Sequence, residues 1–301
     1  MDEERPDEAE PLGGSTQPFA AWSAEQMIGA ADGGLTRLAD LGVEVQSDNR
    51  LLRARDTIER CERLNVQLGP GDPRMERTLA EANKTVFEIQ LALRGLANPT
   101  KAVRKKLRIM LRGLDVPMDM QNDHARDEQA EFVTAALFCA AGYTVDVAEP
   151  DLIIRKGARQ LGVAVKRVKS DRQFQARVRK ANDQLRDSKL QGLIVVNPEL
   201  MLARAYYQDR TADLSRLLFD RTIEWMRYAE YADPTSPLLG VIGLATSFRW
   251  VAGGNGRQFA VKLHFVPRLV THEDMGGLSY VHGAVKALTG AILRTLTSQH
   301  L

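Results

Sequence analysis

Cysteine and histidine are scarce in this sequence of 301 residues, and long apolar runs are missing. The 2 cysteines, Cys61 and Cys139, fall in two separate apolar helical patterns, which excludes a disulfide-stapled scaffold. The 5 histidines are scattered and show no zinc-ligand spacing with cysteine. The longest apolar stretches, 132–145 and 237–248, are too short to span a bilayer. We therefore expect a soluble protein of a reducing compartment, the cytoplasm.

A strong imbalance of charge is also missing, because the formal net charge is only +2. The charges are segregated, however: the first ten residues carry −5 and the rest of the chain carries +7. Acidic, Pro-, Gly- and Ser-rich composition over residues 1–21 predicts a disordered tail. An acidic tail of this kind can compete with nucleic acid for a basic surface. We divide the remainder into a helical region, 22–122, and an α/β domain, 123–301.

Three helical patterns follow a capping-box signal at 23–26. Apolar residues recur every three or four positions over 51–68 and again over 75–93, with coiled-coil spacing in the second segment. The short connection predicts an antiparallel helical hairpin, through which the protein could form a homodimer. A third helix is predicted over 100–114. Its basic face is either solvated or binds phosphate. Its cations, with no acid among them, are Lys101, Arg104, Lys105, Lys106, Arg108 and Arg112.

The pattern changes after residue 125, where short strands alternate with helices. The spacing predicts a helix, three strands, a basic helix and a buried strand over 127–141, 143–148, 151–155, 161–168, 172–189 and 192–197. A long helix from 214, a β-hairpin around 253–256 and a closing helix over 278–298 complete the chain. This order predicts an α/β fold.

Lys166 lies among valines in the third of these strands, where an unpaired ammonium is costly to bury. Two interpretations are open. Lys166 either pairs with Asp151, at the start of the adjoining strand, or emerges at the strand end and extends to water.

The ordered set of Glu131 on the first helix, Pro150-Asp151, Lys166 and the basic helix resembles the restriction-endonuclease-like, or PD-(D/E)XK, nuclease superfamily, and its uncharacterised bacterial branch in particular. The resemblance covers about residues 127–198. It implies an αβββαβ core with a mixed sheet and Mg²⁺-dependent hydrolysis of phosphodiester bonds in DNA. It also implies the catalytic residues Asp151, Glu131 and Lys166. Asp151, Glu131 and Glu149 would be metal ligands, with Glu128 a weaker candidate.

The chain departs from the family pattern at Ala164, where the family has Glu or Asp two residues before the lysine. A methyl group cannot bind a cation, so Mg²⁺ binding is weakened unless Glu131 or Glu149 supplies the missing carboxylate. The alternative function is that of a catalytically degenerate nuclease fold, which binds nucleic acid or a protein partner without cleavage.

Residues 155–189 contain twelve basic residues and three acids, a net charge of +9. A solvated face usually mixes both signs, so this segment favours binding to a nucleic-acid backbone, with DNA expected and no membrane involved. The residues expected to contact nucleic acid are Arg167, Lys169, Arg172, Arg177, Arg179, Lys180 and Gln184. Gln184 resembles a glutamine that follows the motif in some branches, but a polar residue on a solvated helix face is the favoured interpretation.

Overall fold

The computed structural model describes residues 21–65, 73–115, 123–202, 214–232, 237–253, 256–269 and 278–297. All but the last residue of the predicted acidic tail lies outside these ranges. The first part of the chain forms β1 (Ala21–Trp22), α1 (Ala24–Asp40), α2 (Arg50–Asn65), α3 (Pro73–Arg94) and α4 (Lys101–Met110).

The second part alternates helices and strands in the predicted order. Its elements are α5 (His124–Ala140), β2 (Thr144–Ala148), β3 (Asp151–Lys156), β4 (Arg159–Arg167), α6 (Asp171–Asp187), β5 (Gly192–Asn197), α7 (Leu214–Ala232), β6 (Leu238–Gly253), β7 (Gly256–Leu269) and α8 (Leu278–Thr297). The α/β class is therefore confirmed. Boundaries move by a few residues where a cap decides them: Asp123 caps α5, which therefore begins before the predicted position.

One mixed sheet of seven strands runs through the molecule in the order β1-β7-β6-β5-β4-β3-β2. Strands β2, β3 and β4 form an antiparallel meander, while β4, β5 and β6 are parallel. The predicted hairpin is confirmed, because β6 pairs with β7 in an antiparallel register that ends at Gly253 and Gly256. The carboxyl end of β4 therefore lies beside the start of β3, and this sheet end holds the candidate site.

Helices cover both faces of the sheet. Alternate residues of β4 point to opposite sides, as the period of two requires. Val163 and Val165 join the apolar core formed with the N-terminal helices, α5 and α8, whereas Ala164 joins the core formed with α6 and α7. Side chains at one end of β4 can thus be reached from α5 on one face and from α6 on the other.

The N-terminal helices begin at caps that the sequence encodes. Ser23 and Gln26 form the predicted capping box at α1, and the Thr100 side chain accepts a hydrogen bond from the N–H of Val103 at α4. Helices α2 and α3 pack against each other, although their connection, 66–72, lies outside the described residues. These helices share one apolar core with the sheet. Of the described helices, none is long and apolar enough to cross a membrane.

Candidate functional site

Asp151 and Lys166 form an ion pair at the sheet end where β3 begins and β4 ends. One carboxylate oxygen of Asp151, Oδ2, accepts hydrogen bonds from the Lys166 ammonium and from the backbone N–H of Val165, the latter at 2.7 Å. The side chains of Lys166 and Asp151 are only 8% and 13% exposed. The paired interpretation of Lys166 is therefore confirmed, and its ammonium does not extend to water.

Gln184 reaches the same carboxylate from α6. Its Nε2 amide donates to the backbone carbonyl of Pro150 at 2.7 Å, to Oε2 of Glu149 at 3.1 Å and to Oδ1 of Asp151 at 3.4 Å. The favoured interpretation of Gln184 as a residue of a solvated face was wrong, because its side chain is half-buried and hydrogen-bonds to Glu149, Pro150 and Asp151. Through this amide, Glu149 also lies beside Asp151.

Glu131 approaches from α5, on the other face of the sheet. Its Oε2 lies 2.5 Å from the Lys106 ammonium, which also lies 3.1 Å from Oε2 of Glu128. Burial first, and then the negative charge of Asp151, raise the pKa of Glu131 to about 7, although Lys106 opposes this shift. The Glu131 carboxyl is therefore close enough to Asp151 for the negative charge of Asp151 to act on it.

These residues do not fit a Mg²⁺ site in the arrangement observed. The ion requires several oxygen ligands and local negative charge. Ala164 is fully buried in the apolar core against α6, so it offers no ligand. Asp151 and Glu131 each contact a lysine ammonium, which a cation would have to displace. Within the described ranges, no three side chains of Asp, Glu, His or Cys come together as a metal site.

The sequence predicts that Arg167 contacts nucleic acid, and this prediction does not fit the structure. The Arg167 guanidinium hydrogen-bonds to acceptors inside the protein. The residue is 7% exposed. Nη1 donates to Oδ1 of Asp127 at 3.1 Å and to the backbone carbonyl of Asp123 at 3.2 Å. Nη2 lies 3.8 Å from Oε2 of Glu199. Arg167 thus ties the end of β4 to α5.

Glu199 is the centre of a buried ion network behind Arg167. Its Oε1 accepts from Arg126 Nη1 at 2.6 Å and lies 2.7 Å from the Lys84 ammonium. Burial alone raises the pKa of this carboxyl, but the charges of Lys84, Arg126 and Arg167 hold it well below its usual range. The sequence analysis missed this network.

A signal for the network was nevertheless present in α5. Arg126 lies in phase with Ala130, Val133 and Leu137 at steps of four, three and four, so its side chain belongs to the buried stripe. Burying an unpaired charge is costly, so a carboxylate partner is expected for Arg126. The identity of that partner, 73 residues away, is decided by the fold.

Half of the cations in the basic segment 155–189 make contacts within the protein itself. Six of its twelve cations contact an acid or an aromatic ring: Arg155, Lys156, Arg159, Lys166, Arg167 and Arg186. Lys169 is half-buried between β4 and α6. The α6 surface, defined as Arg172, Arg177, Arg179 and Lys180, is exposed except for half-buried Arg177 and pairs with no carboxylate among the described residues. Arg177 and Lys180 share the flank of α6 that Gln184 continues to Asp151.

Comparison with known proteins identifies no relative of this chain. No family model, curated protein or solved structure matches the chain. The function must therefore be inferred from the site itself.

Proposed function

We propose that this protein binds the sugar-phosphate backbone of DNA through a restriction-endonuclease-like core that does not require a metal ion. The observation that carries the proposal is the α6 surface: four cations without a carboxylate partner among the described residues, on the helix that also delivers Gln184 to Asp151. Backbone binding needs positive charge at the surface and no base-reading motif.

The order of elements in the core supports the resemblance to the restriction-endonuclease-like superfamily. A helix precedes an antiparallel meander, and a second helix leads to a parallel strand, which is the αβββαβ order that the resemblance implies. Asp151, Lys166 and Gln184 converge at one end of the sheet, which supports the resemblance. The closed pair of Asp151 and Lys166, together with buried Ala164, favours binding over hydrolysis.

The test is fluorescence anisotropy with a labelled 20-base-pair duplex in EDTA, between about 50 and 200 mM salt. A variant with Arg172, Arg177, Arg179 and Lys180 changed to Gln should bind at least tenfold more weakly. Its dependence of log K on log salt should be shallower by about 3 to 4 in slope, since each phosphate contact contributes about 0.9.

The matched control changes four exposed cations on other helices to Gln: Arg60, Arg216, Arg227 and Lys286. This variant loses the same formal charge and should lose much less affinity. Wild-type protein that shows no salt-dependent binding to DNA, or equal losses in the two variants, would contradict the proposal.

Hydrolysis of phosphodiester bonds is a second candidate, favoured by one observation: the Gln184 amide bridges the carboxylates of Glu149 and Asp151 beside Lys166. Both carboxylates belong to the set of Mg²⁺ ligands that the resemblance implies. Supercoiled plasmid with Mg²⁺ or Mn²⁺ decides between the candidates. We expect no nicking by wild type; nicking that Lys166→Met abolishes would instead establish hydrolysis.

A further inference from the structure

A cleft opens at the surface between the end of α4 and the segment that leads from α1 to α2, outside the core that the resemblance covers. The α4 cleft is defined by its lining residues, which are Glu44, Gln46, Asn49, Arg108, Leu111 and Arg112. Asn49 and Leu111 are buried, whereas the other four are exposed. The cleft therefore has a buried base and a rim that carries charges of both signs.

Hydrogen bonds within the protein hold the two walls of the α4 cleft in place. The backbone N–H of Arg50 donates to the carbonyl of Leu111 at 2.7 Å, which joins the start of α2 to the end of α4. The Asn49 amide donates to the carbonyl of Gln46 at 2.8 Å, and its oxygen accepts from the N–H of Leu52 at 3.0 Å. A ligand therefore binds here without first ordering the backbone around it.

The charged residues of the α4 cleft are unpaired within the part of the chain that the structure describes. Arg108 and Arg112 form no ion pair with a carboxylate there, and Glu44 lines the same cleft without pairing with either of them. The neighbouring Lys106, in contrast, pairs with two carboxylates. Opposite charges that share one cleft but do not pair leave their hydrogen-bonding groups available to a third molecule.

The residues of the α4 cleft select the chemistry of that molecule. Arg108 and Arg112 lie one turn apart at the end of α4, so their guanidinium groups can reach the same anion. Phosphate suits such a pair, because each guanidinium presents parallel N–H donors to two of its oxygens. Glu44 repels anions and accepts hydrogen bonds, so it requires a donor such as a hydroxyl group. The ligand should therefore combine a phosphate with hydroxyl groups.

We propose that the α4 cleft binds the phosphate monoester of a sugar, with the phosphate on Arg108 and Arg112 and a hydroxyl group on Glu44. A free sugar phosphate and a nucleotide share this chemistry, since both carry a phosphorylated ribose. The cleft uses none of the residues of the α6 surface and requires neither DNA nor a metal ion. The proposal is therefore independent of the proposed function, and either can fail without the other.

Isothermal titration calorimetry of the full chain with ribose 5-phosphate tests the proposal. A double variant, Arg108→Gln with Arg112→Gln, should bind at least about tenfold more weakly, because it loses the charge-assisted hydrogen bonds to phosphate. The control is Lys101→Gln with Lys105→Gln. These exposed lysines belong to the same helix and carry the same charge, but they do not line the cleft. The control should lose less than about threefold, since solvent and salt screen charges outside the cleft.

Two further comparisons identify the ligand. Glu44→Gln should weaken binding of ribose 5-phosphate by at least about threefold, because the hydroxyl group loses a charged acceptor. It should not weaken binding of inorganic phosphate, which gains from removal of a nearby negative charge. AMP distinguishes the two sources. Affinity for AMP at or above that for ribose 5-phosphate would assign a nucleotide, and lower affinity would assign a free sugar phosphate; both results uphold the site.

Three results would overturn the proposal. The first is that wild type does not bind ribose 5-phosphate. The second is an equal loss in the two double variants, which would mean that anions are attracted to α4 as a whole rather than to the cleft. The third is an equal effect of Glu44→Gln on ribose 5-phosphate and inorganic phosphate, which would remove the hydroxyl contact. Circular dichroism of the variants confirms that they are folded.

Discussion

The Lys106 ammonium lies 2.5 Å from Oε2 of Glu131, so that a side chain of α4 favours the ionised form of a carboxyl on α5. Glu128, one turn earlier on α5, lies 3.1 Å from the same ammonium. The side chains of Glu128 and Glu131 are 17% and 13% exposed. One cation therefore offsets two poorly solvated carboxylates, and it links the helical region to the candidate site.

Replacing Lys106 by Met should destabilise the protein by about 1 to 2 kcal/mol. The change leaves Glu128 and Glu131 without their cation, and one-sided removal of a partly buried ion pair is costly. Urea unfolding followed by circular dichroism measures the effect. Lys105→Met is the control, because Lys105 is exposed and has no carboxylate partner among the described residues. Equal urea midpoints for the two variants would show that the ion pairs of Lys106 do not stabilise the protein.

Glu131 should make the stability of the protein fall as pH rises. Its pKa is about 7 in the folded protein and about 4.5 normally, so between these values the folded state binds more protons than the unfolded state. Stability from this group is complete at low pH and is lost as pH approaches 7. The free energy of unfolding of Glu131→Gln, relative to wild type, should therefore increase by roughly 2 to 3 kcal/mol between pH 4.5 and pH 8.

Urea titrations of both proteins at several pH values provide this measurement. Glu62→Gln serves as the control, because Glu62 is exposed on α2. A difference between wild type and Glu131→Gln that stays constant with pH would show that Glu131 titrates normally.

Glu199→Gln should destabilise the protein by about 3 to 5 kcal/mol, because it removes a buried negative charge that Lys84, Arg126 and Arg167 share. Thermal and urea unfolding report the loss. Glu224→Gln, at a side chain that is 60% exposed and pairs with Arg221, should change stability by less than about 0.5 kcal/mol. A loss below about 1 kcal/mol for Glu199→Gln would mean that the network contributes little.

Deletion of residues 1–10 should strengthen binding to DNA at low salt. These residues carry −5 and can compete with the phosphate backbone for the basic surfaces. We expect the gain in affinity to shrink as salt rises from about 50 to 200 mM, because the competition is electrostatic. A full-length variant with the six acids changed to Asn or Gln separates charge from length. An unchanged affinity in both proteins would show that the tail only solvates the chain.

The order of elements was predictable because each element carries its own local signal. The valine-rich strands, the capping box at Ser23 and the glycine that ends α5, Gly142 with φ of 84°, are all properties of short segments. Whether Lys166 pairs with Asp151 was left open by the sequence. The pairing follows from the register of β3 and β4, which are joined by a tight turn.

Contacts between distant segments could not be predicted in the same way. Lys106 meets Glu131 and Arg167 meets Glu199 only because α4, α5 and the end of β5 pack together. The composition of the basic segment does not distinguish buried cations from exposed ones, since Arg167 and Arg179 count equally in the sequence. Burial alone separates the interior guanidinium from the surface one.

The double role of the Asp151 carboxylate makes Lys166 the movable member of their pair. One oxygen of Asp151 is held by the backbone N–H of Val165 as well as by the ammonium, so the carboxylate stays anchored to β4 when the lysine leaves. A phosphate that drew Lys166 away would therefore lie near the negative charge of Asp151, which stays in place. Separating the pair would leave the strands in register, but it would leave the Asp151 carboxylate, only 13% exposed, without its cation.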